Sequence, residues 1–199
     1  MSRVLIALGA LVVLAILAAM SIAGTYNRLV ALDQAVQAQW AQVETAYQRR
    51  ADLIPNLVAT VKGAANFEKS TYIAVAEARA KVGQVSLGPG APADAAALAK
   101  FTAAQDSLSS ALSHLLAVSE SYPDLKASQN FEDLQAQLEG SENRISVERM
   151  RFNDAAQAFN TARNSFPAVL VAGLFGAQFN EKVYFQSQPG SATAPVVKF

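Results

Sequence analysis

VLIALGALVVLAILAAMSIAG, residues 4–24, is the stretch that decides the architecture of this 199-residue chain. It contains no charged side chain and no proline. As a helix it is about 30 Å long, which matches the hydrocarbon core of a bilayer. The stretch therefore predicts a transmembrane anchor over residues 1–25, with the rest of the chain outside the bilayer.

The rival interpretation of this stretch is a cleaved signal peptide, for which Ser21-Ile22-Ala23 offers a cleavage site. The apolar run is about twice as long as that of a usual signal peptide, and only Arg3 precedes it. The length therefore favours an uncleaved, single-pass anchor. With Arg3 before the span and Arg28 after it, the positive-inside rule favours a cytoplasmic amino terminus only slightly, so the side of the soluble part stays open.

Apolar residues continue at helical spacing directly after the anchor. They are Leu29, Leu32, Val36, Trp40, Val43 and Tyr47. This spacing predicts a helix from Tyr26 to about Asp52. Because a single Gly24 does not end a helix, we expect the membrane helix to continue as the first bundle helix. Pro55 is then either a kink in a longer helix or the start of a second one, since proline removes one helix hydrogen bond while the apolar spacing carries across it.

The next apolar stripe runs to about Val82, and a loop with several glycines and prolines is predicted over 83–92. A third helix is expected over about 93–122, and Asn130 is expected to cap a fourth. The sequence thus predicts an all-α fold in which an N-terminal transmembrane helix continues into an antiparallel three- or four-helix bundle, with the bundle covering residues 26–167.

Residues 168–199 differ from the bundle in character. They begin with the apolar stretch AVLVAGLFGAQF and continue as an extended tail, with a short strand expected at 182–186. The apolar stretch either plugs one end of the bundle, or binds the bilayer or a neighbouring subunit. Its candidate interaction residues are Leu170, Leu174, Phe175 and Phe179.

The densest charged cluster consists of Arg49, Arg50 and Asp52. One interpretation is an interaction site for an anionic head group or an acidic partner. The other is a local salt-bridge network around Pro55, with Asp52 capping a helix that would start there.

No catalytic or metal site is predicted. One histidine and no cysteine are too few ligands for a zinc site, so we expect no cofactor. His114 lies beside Ser113, but neighbours on a helix do not face each other, so they cannot act as base and nucleophile. Positive and negative side chains balance at 16 each, which gives no indication of nucleic-acid binding.

Several long strings in the chain resemble the LemA family of bacterial membrane proteins. They are YNRLV at 26–30, RRADLIPNLVATVKG at 49–63, AEAR at 76–79, SYPDLKA at 121–127, ENRI at 142–145 and Phe166-Pro167. The resemblance implies a membrane helix followed by an antiparallel helical bundle, and it brings no established enzymatic activity or cofactor. The loop at 83–92 and the tail at 186–199 depart from the family's compact pattern.

Long helices with wide apolar stripes, a membrane tether and no recognisable chemistry predict a non-enzymatic structural or scaffolding protein at the bacterial membrane. Tethering raises the effective concentration of the chain, which favours self-association. The expected partners are therefore the bilayer, further copies of the chain and an unidentified protein. The alternative is a monomeric, membrane-tethered binding module for an anionic lipid head group or an acidic partner.

Overall fold

The structure is a computed structural model that describes residues 2–64, 67–85 and 91–186. Its elements are α1 (Ser2–Gly63), α2 (Lys69–Gln84), a 3₁₀ turn (Ala91–Ala93), α3 (Ala95–Ser119), α4 (Pro123–Lys126), α5 (Gln129–Asn164), α6 (Ala168–Phe175) and a second 3₁₀ turn (Gly176–Phe179). No β-strand occurs in the described ranges. The predicted all-α fold, with an anchor helix that continues into a helical bundle, is confirmed.

Helix α1 is continuous over 62 residues, from the apolar stretch into the bundle. Its apolar part is long and apolar enough to cross a membrane, and none of that part is buried in the protein. Gly24 does not interrupt the helix, and Pro55 lies inside it. Of the two interpretations of Pro55, the one with a single long helix is therefore correct.

Two predicted boundaries are wrong. The stripe expected to run to about Val82 is divided, because α1 ends at Gly63 and α2 begins at Lys69. Asn130 does not cap α5, because Ser128 occupies the N-cap position and the helix begins one residue later. Within the predicted loop at 83–92, residues 86–90 lie outside the described part of the chain.

The core consists of two apolar clusters stacked along α1 and α5, which run antiparallel. The proximal cluster lies nearer the membrane anchor and includes Leu29, Val36, Trp40, Phe101, Phe152 and Phe159. The distal cluster includes Ile54, Leu57, Leu108, Leu112, Phe131 and Leu138. Trp40 is 4% exposed, and its ring contacts Phe101 and Phe152 at centroid distances of 6.0 and 5.4 Å. The sequence stripe on α1 therefore faces the core along its whole length.

Residues 180–186 have no regular secondary structure and lie along α5. Asn160 donates from Nδ2 to the carbonyl oxygen of Lys182 at 2.9 Å and accepts from the amide of the same residue at 2.8 Å. Asn153, seven residues earlier in α5, makes the same pair of bonds with Phe185, both at 2.9 Å. The strand predicted at 182–186 is therefore wrong, because side-chain amides of a helix pair with this backbone instead of a second strand.

The segment after α5 contributes side chains to the bundle core. Phe179 and Phe185 are buried in the proximal cluster, and the Phe185 ring stacks on Trp40 at 5.8 Å. Lys182 is also buried, and its Nζ lies 2.5 Å from Oδ1 of Asp33 on α1. The described part of the C-terminal region thus shares one core with the helices before it.

Candidate functional site

The structure separates the three residues of the predicted charged cluster. The side chain of Arg50 is 1% exposed, whereas Arg49 and Asp52 face solvent. Asp52 accepts a hydrogen bond from Nε2 of Gln48 at 2.7 Å. It caps no helix, because α1 continues through Pro55. The cluster is therefore not one surface, and the capping role given to Asp52 is wrong.

Arg50 is the buried centre of a polar group that joins three helices, although Glu142 in this group is 47% exposed. Its guanidinium donates to Gln105 and Ser109 on α3 and to Glu142 on α5, with the Ser109 bond at 2.8 Å. The Tyr47 ring lies 5.3 Å from the guanidinium carbon. A buried arginine is tolerated only when it is paired and hydrogen-bonded, and here only its Nε lacks a partner. We call Arg50, Gln105, Ser109 and Glu142 the polar layer.

The polar layer lies between the two apolar clusters. On α1, Tyr47 belongs to the proximal cluster and Ile54 to the distal one, with Arg50 between them. On α3, Gln105 lies between Phe101 and Leu108 in the same way. A polar residue at a core position specifies the register of packed helices, because any other alignment leaves it unpaired. The layer therefore fixes how α1, α3 and α5 align.

Sequence reasoning grouped Arg50 with Arg49 and Asp52 in one charged cluster, although the spacing indicated that Arg50 is buried. The steps from Tyr47 to Arg50 to Ile54 are three and four residues, which continue the buried stripe. Glu148 on α5 carries the same signal, since it lies between Ile145 and Phe152. Both charged side chains are 1% exposed, so the phase of the stripe outweighs the residue type.

Glu148 is the acceptor of a second buried polar group. It accepts from Nε2 of Gln39 on α1 at 2.7 Å. It also forms ion pairs with Arg144 at 2.8 Å and Arg151 at 3.1 Å, whose side chains are 62% and 56% exposed. Two exposed arginines of α5 thus neutralise the buried carboxylate, and a single hydrogen bond joins it to α1.

The candidate residues of the apolar segment divide between two faces. Phe179 is fully buried, together with Ala168, Val171 and Ala172 on the inner face of α6. Leu170, Leu174 and Phe175 are 65%, 75% and 43% exposed. The segment therefore closes one end of the bundle with one face and leaves an apolar face uncovered by the described residues.

A groove beside α1 holds the exposed arginine of the predicted cluster. Arg49, Asp52 and Glu44 line it from α1, and Arg79 lines it from α2. Two cations and two carboxylates give the groove no net charge. Arg49 lies about 37 Å along the helix axis beyond Gly24, at 1.5 Å per residue, so it is far from the apolar part of α1.

The chemistry available in these groups is limited. Among the described residues, no group of three or more His, Cys, Asp or Glu side chains is placed to hold a metal ion. His114 and Ser113 both lie on the solvent-exposed side of α3. Burial raises the pKa of the Tyr47 hydroxyl above its ordinary value of 10.0, and the positive charges of Arg149 and Arg50 oppose that rise. This hydroxyl borders the polar layer and stays protonated over the physiological range.

Comparison with known proteins gives a family and named relatives. Residues 39–199 match the sequence profile of the LemA family. The chain is 26% identical to the magnetosome protein MamQ of Magnetospirillum gryphiswaldense, over 86% of this chain and 68% of that protein. It is 27% identical to magnetosome proteins MamQ 1 and MamQ 2 of Paramagnetospirillum magneticum, over 94% of this chain and 75% of each of those proteins.

Proposed function

This chain belongs to the LemA family, and from that premise we propose that it is a non-catalytic structural protein, anchored in the cell membrane by one span, that self-associates as a scaffold. The observation that supports the proposal is the continuity of α1. One unbroken helix contains both the apolar residues 4–24 and the part that packs in the core of the bundle. A helix without a break transmits the orientation of the span directly to the bundle.

The length of α1 gives the bundle a defined reach. From Gly24 to Gly63 the helix extends about 58 Å at 1.5 Å per residue. α5 runs alongside it, and the polar layer fixes their register. A bundle held at a fixed height and angle above a bilayer suits a scaffold, because every copy presents its surfaces in the same way.

The apolar residues 4–24 of α1 offer a face on which copies of the chain can pack. Ala15, Ala19 and Ala23 follow each other at four-residue spacing, so they lie on one side of α1. Small residues at this spacing let transmembrane helices approach closely, and packing of this kind drives their association in lipid. Confinement to two dimensions adds to the effect by raising the effective concentration.

The proposal is tested by the protein mass of the full-length chain in mild detergent, measured by light scattering. We expect a defined multiple of 21.0 kDa. Changing both Ala15 and Ala19 to Ile should reduce the mass to that of a monomer, because the added bulk separates the helices. Ala10→Ile, on the opposite side of α1, is the matched control and should leave the mass unchanged. A monomeric wild-type protein would contradict self-association.

A monomeric binding module is the second candidate, and the groove with Arg49 and Arg79 favours it. Its distance from the anchor argues against head groups of the same bilayer. Because the groove has no net charge and Arg79 is bonded to Ala51 through its Nε, attraction of an acidic protein partner would depend on the exposed Arg49. Binding of a fluorescent polyglutamate peptide to the full chain in nanodiscs would test this. Arg49→Glu should abolish binding while Arg28→Glu, near the membrane, should not. Equal binding by the wild-type protein and the Arg49→Glu variant would remove the candidate.

A further inference from the structure

The outer face of α6 and Phe166, which lies two residues before this helix begins, form an exposed apolar surface. It consists of Phe166, Val169, Leu170 and Leu174, together with the part of Phe175 that its contact with Tyr26 leaves exposed. We call this surface the basal patch, in which Phe166 is 82% exposed. No charged side chain occurs anywhere from residue 166 to residue 179. Large exposed apolar surfaces of this kind mark contacts with a protein or a membrane.

The basal patch lies beside the point on α1 where the apolar residues 4–24 end. The Tyr26 ring packs against Phe175 and Phe179 at centroid distances of 4.8 and 5.5 Å. Tyr26 is two residues after Gly24, which is about 3 Å along the helix axis. α6 is therefore held at the level of the bilayer surface, next to the anchor.

We propose that the basal patch inserts into the interfacial region of the bilayer that holds the anchor. The inner face of α6 packs on the bundle through Ala168, Val171 and Ala172, so the helix is fixed while its outer face points away from the protein. Leucine and phenylalanine on such a face are the side chains that interfacial helices bury at the boundary between head groups and acyl chains.

A bilayer fits the patch better than a second copy of the chain does. The patch continues the lipid-facing surface of α1, which is exposed along its whole apolar part. A helix of eight residues is also too short to span a bilayer. Contact at the patch gives the bundle a second attachment point, which restrains its tilt about the anchor.

The experiment uses the absence of cysteine in the natural chain. Leu174→Cys places a single thiol in the patch of the full-length protein, which is labelled with bimane and placed in nanodiscs at one chain per disc. Fluorescence is quenched either by lipids carrying doxyl groups at shallow and deep positions of the acyl chain or by aqueous iodide. Leu14→Cys in the span is the lipid reference. Met150→Cys, an exposed apolar site on α5 about 21 Å before that helix ends, is the water reference.

The label at residue 174 is expected to lose most of its fluorescence with doxyl lipid, as at residue 14, and little with iodide. The label at residue 150 should show the reverse. Quenching by iodide at residue 174 would overturn the proposal, because the patch would then face water. Protection from both quenchers would also overturn it, because residues 187–199 or other protein would then cover the patch. One chain per disc makes the result independent of self-association.

Discussion

Arg79 on α2 donates a hydrogen bond from its Nε to the carbonyl oxygen of Ala51 on α1, at 3.1 Å. Ala51 is four residues before Pro55, and proline has no N–H with which to pair that carbonyl. A side chain from the neighbouring helix therefore supplies the missing donor. This contact explains how α1 continues through a proline that interrupts most helices.

The first prediction concerns the hydrogen bond from Arg79 to the carbonyl oxygen of Ala51. Arg79→Met is expected to lower the free energy of unfolding by about 1 kcal/mol, the usual contribution of one hydrogen bond. Pro55→Ala restores the backbone donor, so Arg79→Met should cost less in that background. Urea unfolding followed by circular dichroism in detergent measures both effects, with Lys81→Met on the same helix as the control. Equal losses in the two backgrounds would show that Arg79 does not act through Ala51.

The second prediction concerns the polar layer. Arg50→Met leaves the buried Gln105 without its donor, whereas Glu142, which is 47% exposed, can turn to water. The free energy of unfolding should therefore fall by about 2 kcal/mol. Arg50→Lys keeps the positive charge, but an ammonium group lacks the planar fork of donors with which arginine reaches three partners. Its loss of stability should therefore be intermediate. The matched control is Arg49→Met, an exposed neighbour whose effect should stay within about 0.5 kcal/mol.

Urea unfolding of the three full-length variants in detergent measures these differences. If Arg49→Met and Arg50→Met lowered stability equally, the layer would not hold the helices together.

The third prediction concerns residues 180–186, which α5 holds through two asparagines. Asn153→Ala removes the acceptor for the Phe185 amide, so hydrogen exchange at that amide should become roughly fivefold faster, as expected for a loss of about 1 kcal/mol of local stability. Asn160→Ala should act in the same way on the amide of Lys182. Each variant should affect its own site more than the other.

Hydrogen exchange resolved by amide reads out both sites, and Gln157→Ala on the solvent-exposed side of α5 serves as the control. Unchanged exchange in both asparagine variants would mean that the segment is held by its buried side chains alone.

The fourth prediction concerns alkaline pH. Burial raises the pKa of Tyr47 in the folded protein, whereas the unfolded chain ionises at its ordinary value near 10. The unfolded state therefore loses its proton first. The associated stability is fully present below about pH 10 and is lost as the pH rises through the raised folded value. Tyr47→Phe should reduce the loss of stability between about pH 8 and pH 11.

The measurement is the thermal midpoint of the full chain at the two pH values. Tyr72→Phe, at a partly buried ring on α2, controls for the loss of a tyrosine. An unchanged alkaline loss in Tyr47→Phe would contradict the prediction.

The apolar segment at residues 168–179 shows the limit of what residue spacing can predict. In α6 both faces are apolar, so the sequence could not tell which side chains contact the bundle. The structure buries Val171 and Phe179 and exposes Leu170 and Leu174. The choice depends on which face meets the aromatic contacts of Tyr26, which lies about 140 residues earlier in the sequence.

The sequence by itself determined the membrane-compatible stretch, the all-α fold and the buried stripe of α1. These features depend on composition and spacing within a single helix, so they can be predicted locally. Tertiary structure alone decided that Pro55 stays within α1, which side chains pair with Arg50 in the core and that residues 180–186 lie along α5. In each case the deciding hydrogen-bond partner comes from a distant part of the chain: Arg79 for Ala51, Gln105 and Glu142 for Arg50, and Asn153 and Asn160 for the C-terminal segment.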